Sequence, residues 1–298
     1  MRLWIWRHFR LELPDDWEML QFSRESEAGR CGFADRYQFR LEFYWRRTDG
    51  PPDVERMTSD CLAKRRLDGS MPEATLVRVG AWEGIAGRDG RLFVGRFGRY
   101  FDPERCLVEI VFLWPESRDS ELEERVLASV GVEPAGPDGL RRWKAFGLDL
   151  WATDGLPLLG CRVEPAHASL TFAGGAPERR EQFGRFGMVS EWLHGTTREW
   201  LRRQSLGSVE LEAESSQSVS GHAIETLRGL RRPRGLGRFV GRGVACEAAA
   251  WVCPADGRLY HVSLLGPEGK AGAPLAGQRL TCCEALLNEF TGSHSGGQ

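Results

Sequence analysis

The sequence predicts an α+β protein of two tandem domains, each an antiparallel β-sheet packed with helices. Three observations predict it. The chain has 298 residues, a length that suits about two domains. Hydrophobic residues make up 41%, enough for packed cores and too many for a disordered chain. A pattern near the start also recurs in the middle. Trp6-Arg7-His8-Phe9 leads into Phe-x-Leu-acid-Leu at Phe9–Leu13, and Trp143-Lys144-Ala145-Phe146 leads into the same pattern at Phe146–Leu150.

In the first half, Phe9, Leu11 and Leu13 alternate as on a half-buried strand, which Pro14-Asp15-Asp16 ends. "EMLQFSR" and "YQFRLEFYWRR" read as further strands. Asp53 behind Pro51-Pro52 reads as an N-cap, with Val54, Met57, Cys61 and Leu62 on one helix side and a stop near Gly69. "ATLVRVGAW", "RLFVGRFGRYF" and "CLVEIVFLWPE" are the next strands, with a turn at Asp102–Arg105. Ser120 to Glu123 has the spacing of a capping box, and the helix behind it buries Leu122, Val126, Leu127 and Val130.

The second half follows the same order. "FGLDL", "LPLLGCRVE" and "HASLTFAG" read as strands, and "TTREWLRRQSL" reads as the matching helix anchored by Trp200 and Leu201. A strand region follows in "SVELEAESSQSVSGHAIETL". "GVACEAAAWVC" and "GRLYHVSLLGPE" then form a hairpin through Pro254-Ala255-Asp256-Gly257. The last helix is "RLTCCEALLNEF". Leu113-Trp114-Pro115-Glu116 and Leu265-Gly266-Pro267-Glu268 close corresponding strands. The predicted boundaries are a first domain at 1–132, a Gly/Pro-rich linker at 133–142, a divergent second copy at 143–292 and a tail at 293–298.

The opening "FRLELPDDWEM", a strand followed by Pro14 and Trp17, together with the element order after it, resembles the Mog1/PsbP-like group, which includes DcrB-like domains. The second half keeps the order but not the proline-to-tryptophan spacing, since Trp151 directly follows Leu150 and Pro157 comes later. The resemblance implies an antiparallel sheet sandwiched by helices in each copy, an α/β/α arrangement. It also implies a binding module: members are small-GTPase regulators, photosystem assembly subunits and chaperone-like adaptors for secreted effectors. The group shares no catalytic residues, so none carries over.

The bulk properties narrow the function. A net charge of −2 argues against a globally basic nucleic-acid binder. No apolar run approaches the ~20 residues of a membrane helix. "MRLWIWRHFRLEL" reads as a first strand rather than a signal peptide, so the expectation is a cytoplasmic protein with reduced cysteines.

The most unusual segment is "RGLRRPRGLGRFVGRG", with Arg228, Arg231, Arg232, Arg234, Arg238 and Arg242 and no acid. Guanidinium forks suit phosphates and carboxylates. "GRDGRLFVGRFGR" in the first half repeats the theme with Arg88, Arg91, Arg96 and Arg99. A solvated loop is the plainer reading of the first segment; the recurrence strengthens the binding reading and equally fits common ancestry. "GLGRFVG" lacks the strand-loop-helix setting of a nucleotide loop and is set aside. Trp82, between Gly80 and Gly84, is the best candidate for an exposed aromatic.

Cys246, Cys253 and His261 fall near one hairpin, where core filling is preferred to a metal. Cys282 and Cys283 read as helical, about 100° apart, which leaves one buried and one partly exposed. No G-x-S-x-G or His-Glu-x-x-His motif occurs.

The function read from these features is a non-catalytic adaptor that recognises a protein partner through sheet faces and the arginine-rich hairpin loops, an apolar patch flanked by arginines, using no cofactor and no metal. The alternatives are RNA or another polyanion held by the arginine loops, and an enzyme whose site assembles only in space.

Overall fold

The computed structural model describes residues 1–175, 179–205, 209–231, 244–267 and 275–291. It corrects the expected fold class. The protein is mostly β, with 53% strand and 18% helix, and large antiparallel sheets replace the helix-packed α/β/α sandwiches. The physical reason lies in the helices: they are few and short, and several bury little. The chain divides into two compact units, Met1–Pro134 and Ala135–Gln298.

Unit 1 begins with a hairpin of β1 (Arg2–Trp6) and β2 (Phe9–Leu13). Its two turn residues, Arg7 and His8, both have positive φ, as a tight turn matched to strand twist requires. The strands β3 (Glu18–Phe22), β4 (Ala28–Ala34) and β5 (Phe39–Arg47) follow. Helix α1 (Val54–Leu67) crosses to β6 (Thr75–Val79), β7 (Trp82–Asp89), β8 (Leu92–Phe101) and β9 (Cys106–Trp114). The seven strands form one sheet ordered β3-β4-β5-β9-β8-β7-β6. Helix α2 (Ser120–Ser129) and β10 (Gly131–Val132) complete the unit, and β10 pairs with β2.

Both faces of this sheet are covered. On one, Leu62 of α1 packs with Met71, Ala74, Ile85, Val94 and Val111. On the other, Phe9 of β2 meets Phe43 and Phe101 at 5.6 and 5.4 Å between ring centres. Helix α1 is anchored by Leu62, with Cys61 partly buried against the same cluster; Met57, expected on its inner side, is exposed. Asp53 caps it by accepting from the Arg56 N–H. The cap of α2 is Asp119, accepting from the Leu122 N–H at 2.9 Å, and not Ser120 as the sequence suggested.

Unit 2 opens with β11 (Leu140–Ala145) and β12 (Leu148–Thr153), joined by Phe146 and Gly147, again both at positive φ. β13 (Leu158–Glu164), β14 (His167–Gly174) and β15 (Arg179–Phe186) follow. Next come the short α3 (Val189–Trp192), α4 (Thr197–Ser205), β16 (Glu210–Val219), β17 (His222–Arg231), β18 (Val244–Val252) and β19 (Leu259–Pro267). The sheet order is β13-β14-β15-β19-β18-β17-β16, strand for strand the order in unit 1. A kinked turn α5 (Leu275–Gln278), β20 (Leu280–Thr281) and α6 (Glu284–Thr291) end the described chain, with β20 paired to β12.

Helix α4 covers one face of this sheet. Trp200 and Leu201 pack with Val189, Leu227, Ala248, Ala250 and Leu259. The opposite face holds Phe172, against Trp143 of β11 at 5.0 Å, and Trp251 stacked on Tyr260. Strand parity therefore sorts β17, β18 and β19 into an α4 side and a β11–β12–β20 side.

Candidate functional site

Two features of unit 2 concentrate chemistry. The first is an open groove of about 390 Å³ at the ends of β14 and β15 and along α3 and α4. His167 stacks on Phe186 at 4.5 Å, and Phe186 meets Trp192 and Trp200 edge-on at 6.0 and 5.4 Å. Burial and the positive charge of Arg162 lower the His167 pKa, so the imidazole wall is neutral near pH 7. The Trp192 indole N–H donates to the Gly187 carbonyl at 2.8 Å, which fixes that ring. Met188 forms the rim. Its φ is 52°, in the left-handed region that a residue with a long side chain rarely adopts, and it stays 66% exposed.

The second feature is a cluster of His222, Cys253, Cys282 and Cys283, whose ligand atoms all lie within 4.8 Å of one another. The His222 Nε2 is 3.3 Å from Cys282 Sγ and 3.5 Å from Cys283 Sγ, and the two sulfurs are 3.8 Å apart. His222 and Cys253 are 1% and 0% exposed. β17 and β18 are paired through Glu225↔Ala250, and continuing that register sets His222 opposite Cys253. The segment between β20 and α6 brings in the adjacent cysteines.

The tautomer of His222 is set by its backbone. Its Nδ1–H faces the Val219 and Ser220 carbonyls at 3.2 and 3.0 Å, which leaves the Nε2 lone pair for the sulfurs. A Cys–His pair invites comparison with a catalytic thiol, but burial pushes the Cys282 pKa well up, and Cys253 is raised for the same reason. A thiol nucleophile needs the opposite shift. What the cluster does offer is a donor set for a soft cation, one imidazole nitrogen and three sulfurs converging within 4.8 Å.

This cluster differs from the one the sequence suggested. Cys253 is in it, but Cys246 and His261 are not. His261 is paired with Ala250, so it faces the α4 side, 5.4 Å from the Trp200 ring. Cys282 and Cys283 precede α6 instead of lying within it, so their sulfurs converge. The signal that could have found His222 is the β16–β17 hairpin, turned at Ser220-Gly221, which aligns the start of β17 with the end of β18.

The remaining candidates sit as follows. Trp82 corrects its expectation: it is 2% exposed and donates its indole N–H to the Leu127 carbonyl at 3.0 Å. Gly80 lies in the β6–β7 turn and Gly84 within β7, and the Trp82 ring is covered by Phe101 of β8, 6.0 Å away. Arg228 pairs with Glu247 at 2.8 Å across β17 and β18, and Arg96 pairs with Glu109 at 2.7 Å. Arg88 lies over the Phe93 ring and Arg99 over Phe101, at 4.1 and 4.7 Å. Arg91 is exposed beside Gly90 at the β7–β8 turn, and Arg231 is the last, half-buried residue of β17. Arg232, Arg234, Arg238 and Arg242 lie outside the described residues, as does the tail at 293–298. Among the described residues, no helix is long and apolar enough to cross a membrane.

No family model and no curated protein matches the chain. Three solved structures are similar in part. A Pseudomonas aeruginosa protein of unknown function, described as a putative regulator, aligns at 12% identity over 43% of this chain and 83% of its own, with a TM-score of 0.26. A Bacteroides thetaiotaomicron structure aligns at 15% over 48% of this chain and 49% of its own, with a TM-score of 0.28. The T6SS immunity protein TplEi of Pseudomonas aeruginosa aligns at 10% over 89% and 87%, with a TM-score of 0.29.

Proposed function

We propose that the protein is a non-catalytic adaptor for a protein partner, and that the groove of unit 2 receives an apolar side chain of that partner. The observation that carries this reading is Met188, an apolar side chain held in water at a costly backbone conformation beside three aromatic rings. Methionine suits adaptable contact surfaces because it is unbranched and polarizable. Covering such a patch gains about 25 cal/mol per Å² of apolar area removed from water. The groove is open, so it accepts a side chain presented from another surface more readily than it encloses a free small molecule.

The described arginines favour a protein partner over a polyanion. Arg96 and Arg228 are matched by carboxylates, and Arg88 and Arg99 lie over phenyl rings. The Mog1/PsbP-like resemblance, with its chaperone-like members, adds support for binding over catalysis. The identical strand order of the two large sheets supports descent of both units from one duplicated ancestor. We place the protein in the cytoplasm, where thiols stay reduced; all eight cysteines are free of disulfides here.

The test is a photoreactive methionine at position 188 in the native host, followed by mass spectrometry and a binding assay with the captured polypeptide. Met188→Glu should weaken that binding at least about tenfold, the equivalent of ~1.4 kcal/mol, without changing the thermal midpoint. Unchanged affinity would remove the groove from recognition.

A further inference from the structure

We infer that His222 Nε2 and the thiolates of Cys253, Cys282 and Cys283 bind one zinc ion in a closed tetrahedral site. The site is separate from the groove and does not depend on the adaptor reading.

The geometry is the first argument. Zinc bonds of about 2.3 Å to sulfur and about 2.0–2.1 Å to nitrogen imply tetrahedral edges of about 3.8 Å between sulfurs and about 3.6 Å between sulfur and nitrogen. The corresponding separations here are 3.8 Å between the Cys282 and Cys283 sulfurs and 3.3 and 3.5 Å from these to His222 Nε2, and Cys253 Sγ lies within 4.8 Å of all three. Three of the four ligands therefore stand near tetrahedral spacing, and Cys253 closes the site by a side-chain movement of about 1 Å or less.

The surroundings of the ligands are the second argument. Metal-bound imidazoles commonly donate their other N–H to a carbonyl or carboxylate, and His222 Nδ1 faces two carbonyls. Cys253 opens the turn Cys253-Pro254-Ala255-Asp256-Gly257, in which the Ala255 and Asp256 backbone N–H groups point at its sulfur. The Trp251 indole N–H donates to Cys282 Sγ at 3.3 Å. Donors aimed at sulfur stabilise thiolate. The turn is itself held by Gly257 N–H to Cys253 O at 2.9 Å and by the Tyr260 hydroxyl donating to Asp256 at 2.8 Å.

Ligand type decides the ion. Three thiolates and one imidazole at tetrahedral spacing suit zinc, whereas magnesium and calcium want oxygen. All four positions are protein side chains, so no coordination position is left for water or substrate, and the role is structural. On binding, the three thiols release three protons to solvent, and the zinc–ligand set carries a net charge of −1. The ion ties the segment between β20 and α6 to the end of the sheet where β17 begins and β18 stops.

The experiment uses the whole chain, purified without chelator and assayed for metal by mass spectrometry. It should carry about one zinc per chain. Cys282→Ser/Cys283→Ser should hold less than about a tenth of that, and Cys61→Ser, on α1, should hold all of it. The wild-type protein, stripped with chelator and refilled with Co(II), should show the intense visible bands of tetrahedral cobalt with sulfur-to-cobalt charge transfer. This second readout does not depend on a variant folding. Absence of zinc in the purified protein together with no stoichiometric uptake of Zn(II) or Co(II) by the stripped protein overturns the inference. So does full zinc retention in the double variant, or a Cys282–Cys283 or Cys253–Cys282 disulfide in the protein isolated under reducing conditions.

Discussion

His261 is fully buried against Trp200, and burial alone lowers its pKa to about 4 from an ordinary 6.5. Among the described residues its Nε2 has no hydrogen-bond partner, so the ring resists protonation in the folded state. Between pH 6.5 and about 4 the unfolded chain binds a proton that the folded chain does not. Stability therefore falls as pH drops through that window, by ~3 kcal/mol at most, and this contribution levels off below it. His261→Leu should flatten that part of the profile, measured as urea midpoints against pH; an unchanged slope would assign the acid sensitivity elsewhere. A second local prediction concerns Gly95, where an added Cβ would stand 2.7 Å from the Glu123 carboxylate oxygen. That carboxylate is buried and accepts from the Trp114 indole and the Arg118 guanidinium at 2.8 Å. Gly95→Ala should destabilise unit 1 by about 1–3 kcal/mol through overpacking, read by denaturant unfolding.

The elements explain what the sequence disclosed and what it hid. Alternation marked β2 and β5 because one face of each is buried and the period of two survives in the residues. β4 was not read as a strand: its glycines break the pattern, and Gly32 exists there because the Phe39 ring lies 3.0 Å from where a Cβ would be. β15, "RREQFGRF", hid behind its charges. The repeated Trp-x-x-Phe motif was also misaligned. Both hairpins turn on two residues, Arg7-His8 and Phe146-Gly147, so Trp4 corresponds to Trp143 and Phe9 to Leu148. A slip of two residues keeps every side chain on its face, so the pattern alone could not detect it. The His222 cluster was hidden for a different reason: it needs the β17–β18 register and a segment sixty residues away. Before β20, Arg279 pairs with buried Glu181 at 2.6 Å, and Glu181 also accepts from the Thr153 N–H at 2.9 Å. Glu181→Ala leaves a buried guanidinium unpaired and should cost about 3–5 kcal/mol in an unfolding assay. A loss under 1 kcal/mol would mean that water replaces the pair.

At the scale of the whole molecule, the chain divides into two compact units, Met1–Pro134 and Ala135–Gln298, and the sequence overestimated the helices. The sheets hold most of the core, and α1 and α4 each cover part of one face. The central claim is that recognition runs through an apolar groove in unit 2 and not through arginines. The two modes differ in their response to salt, because phosphate contacts release counterions and apolar contacts do not. The most direct measurement is therefore the affinity of the partner captured at Met188, titrated between ~50 and ~200 mM salt with wild-type and Met188→Glu protein. The account predicts an affinity nearly constant across that range and at least about tenfold weaker in the variant. An affinity that collapses with salt and ignores the substitution would contradict it.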